Sequence, residues 1–346
     1  MLQQLKILDF TSLLPGPFGT MILADLGADV INIQKPGSGA IFQGFEIYEE
    51  VLLRNKQSLQ LDLKQESAKK KIRELIMEYD IVVEGFRPGV MEKLNLDYDS
   101  MRLINEDIIF CSLTGYGQTG EMKDRAGHDI NYLSRSGYAS YSGNPKSGPS
   151  ISGIQIADLA GSLYLAVSIL SAFINRQNTG KGQYIDISMT DCAFSLGILQ
   201  NTRYLNELVN PSFMDFVLTG SDHYGYYETS DHQFLSVGSL EPKFYLKLCE
   251  FFHLDPRNSK NLQNTLSVKF KEKTLAHWVE VLEPLDICIE PVINLDQVVR
   301  QEFFKERENL VQVDDGKGGF RKQQSHPVKY NNFEPNYRLV KKWNDD

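Results

Sequence analysis

Two side chains of complementary acid–base character stand near the middle of the chain. His128 lies in Arg125-Ala126-Gly127-His128-Asp129-Ile130-Asn131-Tyr132 and is one of six histidines. A glycine immediately before it permits close backbone approach, and imidazoles titrate near neutral pH, so the position suits proton transfer. The other reading is a packed, hydrogen-bonded histidine. Asp158 comes directly before a long apolar run from Leu159 to Ile174. There a carboxylate either caps a helix N-terminus, which contributes about 1 kcal/mol, or takes a proton at the mouth of a buried helix. The two roles are compatible. Glu241, in Ser239-Leu240-Glu241-Pro242, reads on its own as a helix-start acid.

Cations stand beside strand-like stretches at Arg54-Asn55-Lys56 and at Arg87, the latter within Glu84-Gly85-Phe86-Arg87-Pro88-Gly89. Arg87 follows a strand of a parallel sheet, the end at which open α/β sheets take their ligands. Pro88 is read as the start of a helix whose amides also face an anion. Each cation is otherwise a solvated surface charge. Leu14-Pro15-Gly16-Pro17-Phe18-Gly19 has glycines after a strand but lacks G-x-G-x-x-G, and G-x-x-x-x-G-K-[ST] is absent, which disfavours hydride transfer.

The elements that must position these groups alternate. Strands are expected at 6–10, 29–33, 58–63, 80–84 and 107–111, with helices at 18–26 and 66–79 and further helical segments between. That repeat of βαβ units means a mostly parallel sheet covered on both faces, a Rossmann-like α/β domain. Residues 158–177 are apolar almost all round and predict a buried helix. Thr179-Gly180-Lys181-Gly182 stops it, a strand follows at 183–188, and 191–207 reads as one more helix. Strands 224–229 and 233–237 form a hairpin, helices are expected at 242–252 and 266–282, and a strand at 287–292. The expected organisation is a large domain over 1–200, a linker over 201–222, a smaller α+β domain over 223–312, and a polar, irregular C-terminal segment, 313–346, that returns to the large domain.

Bulk properties narrow the class. The chain has 346 residues, 42% hydrophobic and 23% charged, as in soluble globular proteins. A net charge of −9 argues against a nucleic-acid partner. Cys111, Cys192, Cys249 and Cys288 lie far apart, so no metal site and a reducing compartment are expected. The N-terminus reads as no secretory signal, the tail Trp343-Asn344-Asp345-Asp346 as no peroxisomal address, and no run is long enough for a membrane span. The cytoplasm is the expected location.

With Ala24-Asp25-Leu26-Gly27-Ala28-Asp29-Val30, Asn55-Lys56-Gln57-Ser58, Glu84-Gly85-Phe86-Arg87-Pro88-Gly89, Thr114-Gly115-Tyr116-Gly117-Gln118-Thr119-Gly120 and Thr179-Gly180-Lys181-Gly182-Gln183, the chain resembles the class III CoA-transferase family from near Leu5 to near Arg300. Gly127-His128-Asp129-Ile130-Asn131-Tyr132 and Gly238-Ser239-Leu240-Glu241-Pro242-Lys243-Phe244-Tyr245 resemble its α-methylacyl-CoA racemase branch. Departures are Gln34-Lys35-Pro36, where an acidic residue is usual, the Ser/Gly-rich segment 136–155, and a short polar C-terminal end.

The resemblance implies epimerisation of 2-methylacyl-CoA thioesters by two-base 1,1-proton transfer through an enolate. His128 and Asp158 are then the acid/base pair, and Glu241 reaches His128 from the partner subunit of an interlocked homodimer. Asp129 and Tyr132 bracket the thioester; Arg54, Lys56 and Arg87 hold the CoA phosphates. Acyl-CoA is the substrate, and no metal or further cofactor is implied. In the transferase branch the residue matching Asp158 is the nucleophile of an acyl anhydride and His128 is incidental. Aspartate ordinarily titrates near 3.9 and imidazole near 6.5, so a racemase must narrow that gap. Burial raises a carboxyl and a helix N-terminus lowers it, a balance the sequence leaves open.

Overall fold

Ile7-Leu8, Val30-Ile31 and Ile81-Val82-Val83 are apolar on both sides of the pleat, so the strands they form must be covered on both faces. The computed structural model describes residues 1–37, 45–257 and 261–343. The first elements are β1 (Lys6–Asp9), α1 (Pro15–Asp25), β2 (Asp29–Gln34), α2 (Glu46–Leu52), β3 (Gln57–Gln60), α3 (Glu66–Leu75), β4 (Ile81–Glu84), α4 (Val90–Leu94), α5 (Tyr98–Arg102) and β5 (Ile109–Thr114). Then come α6 (Asp129–Arg135), the two-residue strands β6 (Gly143–Asn144) and β7 (Gly148–Pro149), α7 (Ile156–Thr179), β8 (Gln183–Ser188), α8 (Met189–Leu196), α9 (Ile198–Glu207) and α10 (Val217–Gly220). The remainder is β9 (Tyr224–Glu228), β10 (Phe234–Gly238), α11 (Pro242–Phe251), α12 (Leu262–Phe270), α13 (Leu275–Leu282), β11 (Ile289–Pro291), α14 (Leu295–Val298), α15 (Glu302–Glu306), β12 (Leu310–Asp314), β13 (Phe320–Gln324) and β14 (Lys341–Lys342).

By contacts the chain divides into two units: 1–138 with 151–201 and 305–346, and 139–150 with 202–304. The first holds a seven-stranded sheet in the order β14-β3-β2-β1-β4-β5-β8. Every neighbouring pair in it is parallel. Ile7, Val30, Ile81, Val83, Ile109 and Cys111 pack on one face with Leu23 of α1 and Leu165 and Ile169 of α7. Leu8, Ile31, Val82 and Phe110 face the other way, against Ile72, Leu75 and Met91. The second unit has an antiparallel sheet, β11-β10-β9, whose Leu235 and Val237 pack with Leu248, Phe252, Phe270 and Trp278.

Several expectations change in detail. Residues 139–150 group with the second unit, where Asn144 Nδ2 meets Met214 Sδ at 3.6 Å. The second unit also takes the expected linker, and the chain rejoins the first unit at Lys305. The expected 191–207 helix is two, broken at Gly197, and the expected 266–282 helix is two because Thr274 starts a new one by capping His277 N. Nor is the C-terminal segment irregular: β12 and β13 form a hairpin and β14 adds an edge strand to the large sheet. Residues 344–346, part of the tail read for an address, lie outside the described residues.

The apolar helix α7 is buried on one side only. Ala157, Ala160, Gly161, Leu165, Ala166, Ile169 and Ala172 are dry, whereas Leu163 is 56% and Val167 58% exposed. Among the described residues it is the helix long and apolar enough to cross a membrane, yet its dry face belongs to the core of its unit. Gly19 brings α1 close to it: a Cβ there would lie 2.8 Å from Leu165 Cδ2 and 2.9 Å from the Ser162 carbonyl oxygen. Gly19→Ala is therefore expected to destabilise the fold by about 1–3 kcal/mol, read from the urea midpoint. An unchanged midpoint would contradict this close packing.

Candidate functional site

Local structure fixes His128 from both sides. Its amide donates to Asn131 Oδ1 at 3.0 Å, and the Tyr132 hydroxyl donates to the Gly127 carbonyl at 2.5 Å. Tyr132 is 7% exposed, lies edge-on to Tyr116, and lies where a Cβ on Gly115 would clash with its ring. Burial pushes its phenol up to about 12. His128 itself is exposed at the N-cap of α6. Tyr132, expected to bracket a thioester, thus has its proton committed to the backbone that carries His128.

The start of α7 differs from the expectation in an informative way. The N-cap residue is Gln155, whose side chain makes no capping bond, and Asp158 stands inside the first turn. The acceptor comes from α6. Asp129 Oδ1 accepts from Ala157 N at 2.7 Å and from Asp158 N at 3.2 Å. These are the amides a local N-cap side chain would normally satisfy. Asp129 was expected to bracket a thioester; its carboxylate instead ties the first turn of α7 to the residue after His128. One turn along, Ser162 Oγ donates to Pro15 O at 2.6 Å and to Asp158 O at 2.9 Å, joining α7 to the start of α1. Burial first, and the Asp129 charge second, push the Asp158 carboxyl up to about 6. In the balance the sequence left open, burial wins.

Two of the three expected phosphate ligands are corrected. Arg54 is 1% exposed and grips Asp25 with two nitrogens, Nε to Oδ1 at 3.0 Å and Nη2 to Oδ2 at 2.5 Å. Its Nη1 donates to Gln324 O at 2.6 Å, and Tyr337 covers the guanidinium. Lys56 is 2% exposed, with Nζ 3.2 Å from Asp9 Oδ2, 2.9 Å from Pro17 O and 2.7 Å from Thr20 Oγ1. Burial holds its ammonium below the usual lysine range, although Asp9 opposes this. Both cations are thus interior struts, buried and ion-paired within the first unit.

Arg87 is exposed and lines a cleft of about 370 Å³ with Glu84, Ser112, Gln118, Lys123 and Tyr184. Among the described residues neither Arg87 nor Lys123 has an ion-pair partner. The helix after Arg87 begins at Val90 rather than Pro88, because Gly89 first turns the chain at φ +82°. Sequence reasoning passed over Glu84. It is 3% exposed, accepts from Phe86 N at 2.8 Å, and burial pushes its carboxyl up to about 7. The available signal was an acid on the last residue of a parallel strand. Glu241 belongs to the second unit, where it is exposed at the N-cap of α11 without capping by its side chain. Among the described residues no group of three or more His, Cys, Asp or Glu is arranged to hold a metal ion.

The sequence matches CoA-transferase family III over residues 2–341. The human alpha-methylacyl-CoA racemase is 36% identical over 324 residues, covering 90% of this chain and 82% of that protein. The human succinyl-CoA:glutarate CoA-transferase is 31% identical over 319 residues, covering 86% and 73%. In structure, Rv3272 from Mycobacterium tuberculosis superposes with a TM-score of 0.84 at 28% identity, covering 98% of this chain and 95% of that one. A CAIB/BAIF family protein from Brucella suis gives 0.82 at 27%, covering 98% and 94%.

Two outcomes follow from this geometry. Arg54→Ala leaves Asp25 buried and unpaired, and is expected to cost about 3–5 kcal/mol in urea unfolding. A loss below about 1 kcal/mol, the range of exposed pairs, would contradict the buried clamp. Asp158 binds a proton more tightly folded than unfolded, so its contribution to stability is full below its ordinary 3.8 and is lost as pH rises through about 6. Asp158→Asn should therefore be more stable than the unaltered protein at pH 7.5, by about 1–2 kcal/mol after solvent screening, with the gain gone near pH 4. A gain that does not vary with pH would contradict the raised carboxyl.

Proposed function

The chain belongs to CoA-transferase family III, and within it we propose that the protein epimerises 2-methylacyl-CoA thioesters. The observation that carries this reading is the Asp158 carboxyl: raised to about 6 and linked through Asp129 to the segment bearing His128. Burial thus gives this carboxyl a proton affinity well above that of an ordinary carboxylate, so it can be protonated as well as ionised near neutral pH. Inversion in both directions demands that, because each group must act as base for one epimer and acid for the other.

In the proposed reaction, neutral His128 removes the α-proton and the electron pair moves onto the thioester oxygen, giving an enolate. Protonated Asp158 delivers its proton to the opposite face, leaving His128 protonated and Asp158 ionised. The other epimer runs the same steps in reverse. The first amides of α6 have no acceptor within that helix and are proposed as donors to the enolate oxygen. Arg87, with Lys123 beside it, is the proposed contact for the CoA phosphates. One proton in and one proton out requires no cofactor beyond the acyl-CoA itself.

We further propose a homodimer in which Glu241 of a second copy orients His128. The apolar residues Leu163, Val167, Phe194 and Ile198, each at least half exposed, support a covered surface on α7, α8 and the start of α9.

The second reading is CoA transfer through an acyl anhydride on Asp158, which the 31% identity to a CoA-transferase supports. Incubation with (R)-2-methylacyl-CoA in heavy water separates the two. Epimerisation with uptake of α-deuterium, reduced about 10²–10⁴-fold in His128→Ala, is the expected outcome. Acyl transfer to a free carboxylic acid that survives His128→Ala would instead establish the transferase.

A further inference from the structure

Asp129 stands between the two proposed acid–base groups in an unusual way. It follows His128 in the chain as the first residue of α6, and its Oδ1 accepts from the second and third amides of α7, one of them that of Asp158. Gln155, the local N-cap, leaves those amides to it. A carboxylate inside a helix's first turn is ordinarily favoured in its ionised form by the amides and dipole there. At α7 that favour goes to Asp129, which itself satisfies the amides.

We propose that Asp129 is a positioning residue that acts through Asp158: its carboxylate fixes the first turn of α7 against the His128 segment, and its charge sets how readily Asp158 gives up a proton. This rests on the proton-transfer reading above and deepens it. The direction agrees with the Asp158 carboxyl, which burial raises first and the Asp129 charge second. Other titratable groups stand on the elements packed against α7. The N-terminal end of α6 carries His128 and Tyr132, the latter a phenol pushed up to about 12 and neutral in the working range; Arg135 lies in its last turn. On α8 stand Asp191 and Cys192, on β5 the buried Cys111, and on β8 Tyr184 and Asp186, the last accepting from Gln118 N. On α1, Asp25 is neutralised by Arg54. None of these takes the α7 amides, so charge and clamp coincide in Asp129.

The consequence is separable from simple structural support. Asp129→Asn keeps an oxygen that can accept from the same two amides and removes the charge. Asp129→Ala removes both. The Asp158 carboxyl can be followed by carbon-13 NMR during a pH titration, with its resonance assigned by loss in Asp158→Asn. In Asp129→Asn the titration is expected to move to lower pH by about one unit, with a melting temperature near that of the unaltered protein. The limb of the α-deuterium exchange profile that depends on Asp158 should move with it. Asp129→Ala should show a lower melting temperature and a further fall in kcat. An Asp158 titration that stays in place in Asp129→Asn would overturn the inference. Because the NMR readout needs no turnover, absence of exchange in the unaltered protein would sink the proton-transfer reading alone.

Discussion

The first amides of α7 have no partner within their own helix, and a buried helix end without acceptors is unstable. The rest of the candidate site is organised around the acceptor they find. A capping side chain from the local N-cap would have left α6 and α7 free to shift relative to one another. Because the acceptor is Asp129 on α6, the segment carrying His128 and the turn carrying Asp158 are joined by two hydrogen bonds. The same contact brings a negative charge beside the Asp158 carboxyl, in a place where burial has already weakened its ionised form. Asp129 thus fixes the geometry and adds its charge to the rise in proton affinity that burial begins.

Around that contact the fold supplies rigid supports. Ser162 joins α7 to the Pro15 carbonyl, and Lys56 holds the Pro17 carbonyl, Thr20 and Asp9, so the turn after β1 is anchored from two sides. Arg54 performs the corresponding service between Asp25 and the C-terminal hairpin. Buried ion pairs gain little net stability over apolar packing, but removing one partner is costly. Lys56 thereby fixes the turn at the carboxyl end of β1, where a parallel α/β fold presents its reactive groups, whereas the Arg54 pair lies at the opposite edge, where α1 ends and β2 and β3 begin.

Much of this was legible in the sequence, for physical reasons. Doubly buried strands leave continuous apolar runs, and the strand–helix alternation gave the parallel sheet of the first unit. His128 and Asp158 stood out by residue type and neighbours. What was missed depends on partners distant in sequence. Asp158 resembled a helix cap because it precedes an apolar run, whereas the cap comes from Asp129, and nothing near Gln155 signals that. Arg54 and Lys56 looked like free cations because Asp25 and Asp9, which bury them, are on other elements. The one-sided burial of α7 was hidden because Leu163 and Val167 are as apolar as the residues that face the sheet. Glu84 gave no sign of its raised carboxyl, since its proton affinity depends on burial that only the fold creates.

The most direct measurement for the central claim is a crystal structure of the protein with a 2-methylacyl-CoA bound. The account predicts the α-carbon between the His128 ring and the Asp158 carboxyl, each about 3–3.5 Å away and on opposite faces, with Asp129 still on the α7 amides. An α-carbon with both groups on one face, or with either side chain turned into a different cavity, would contradict it.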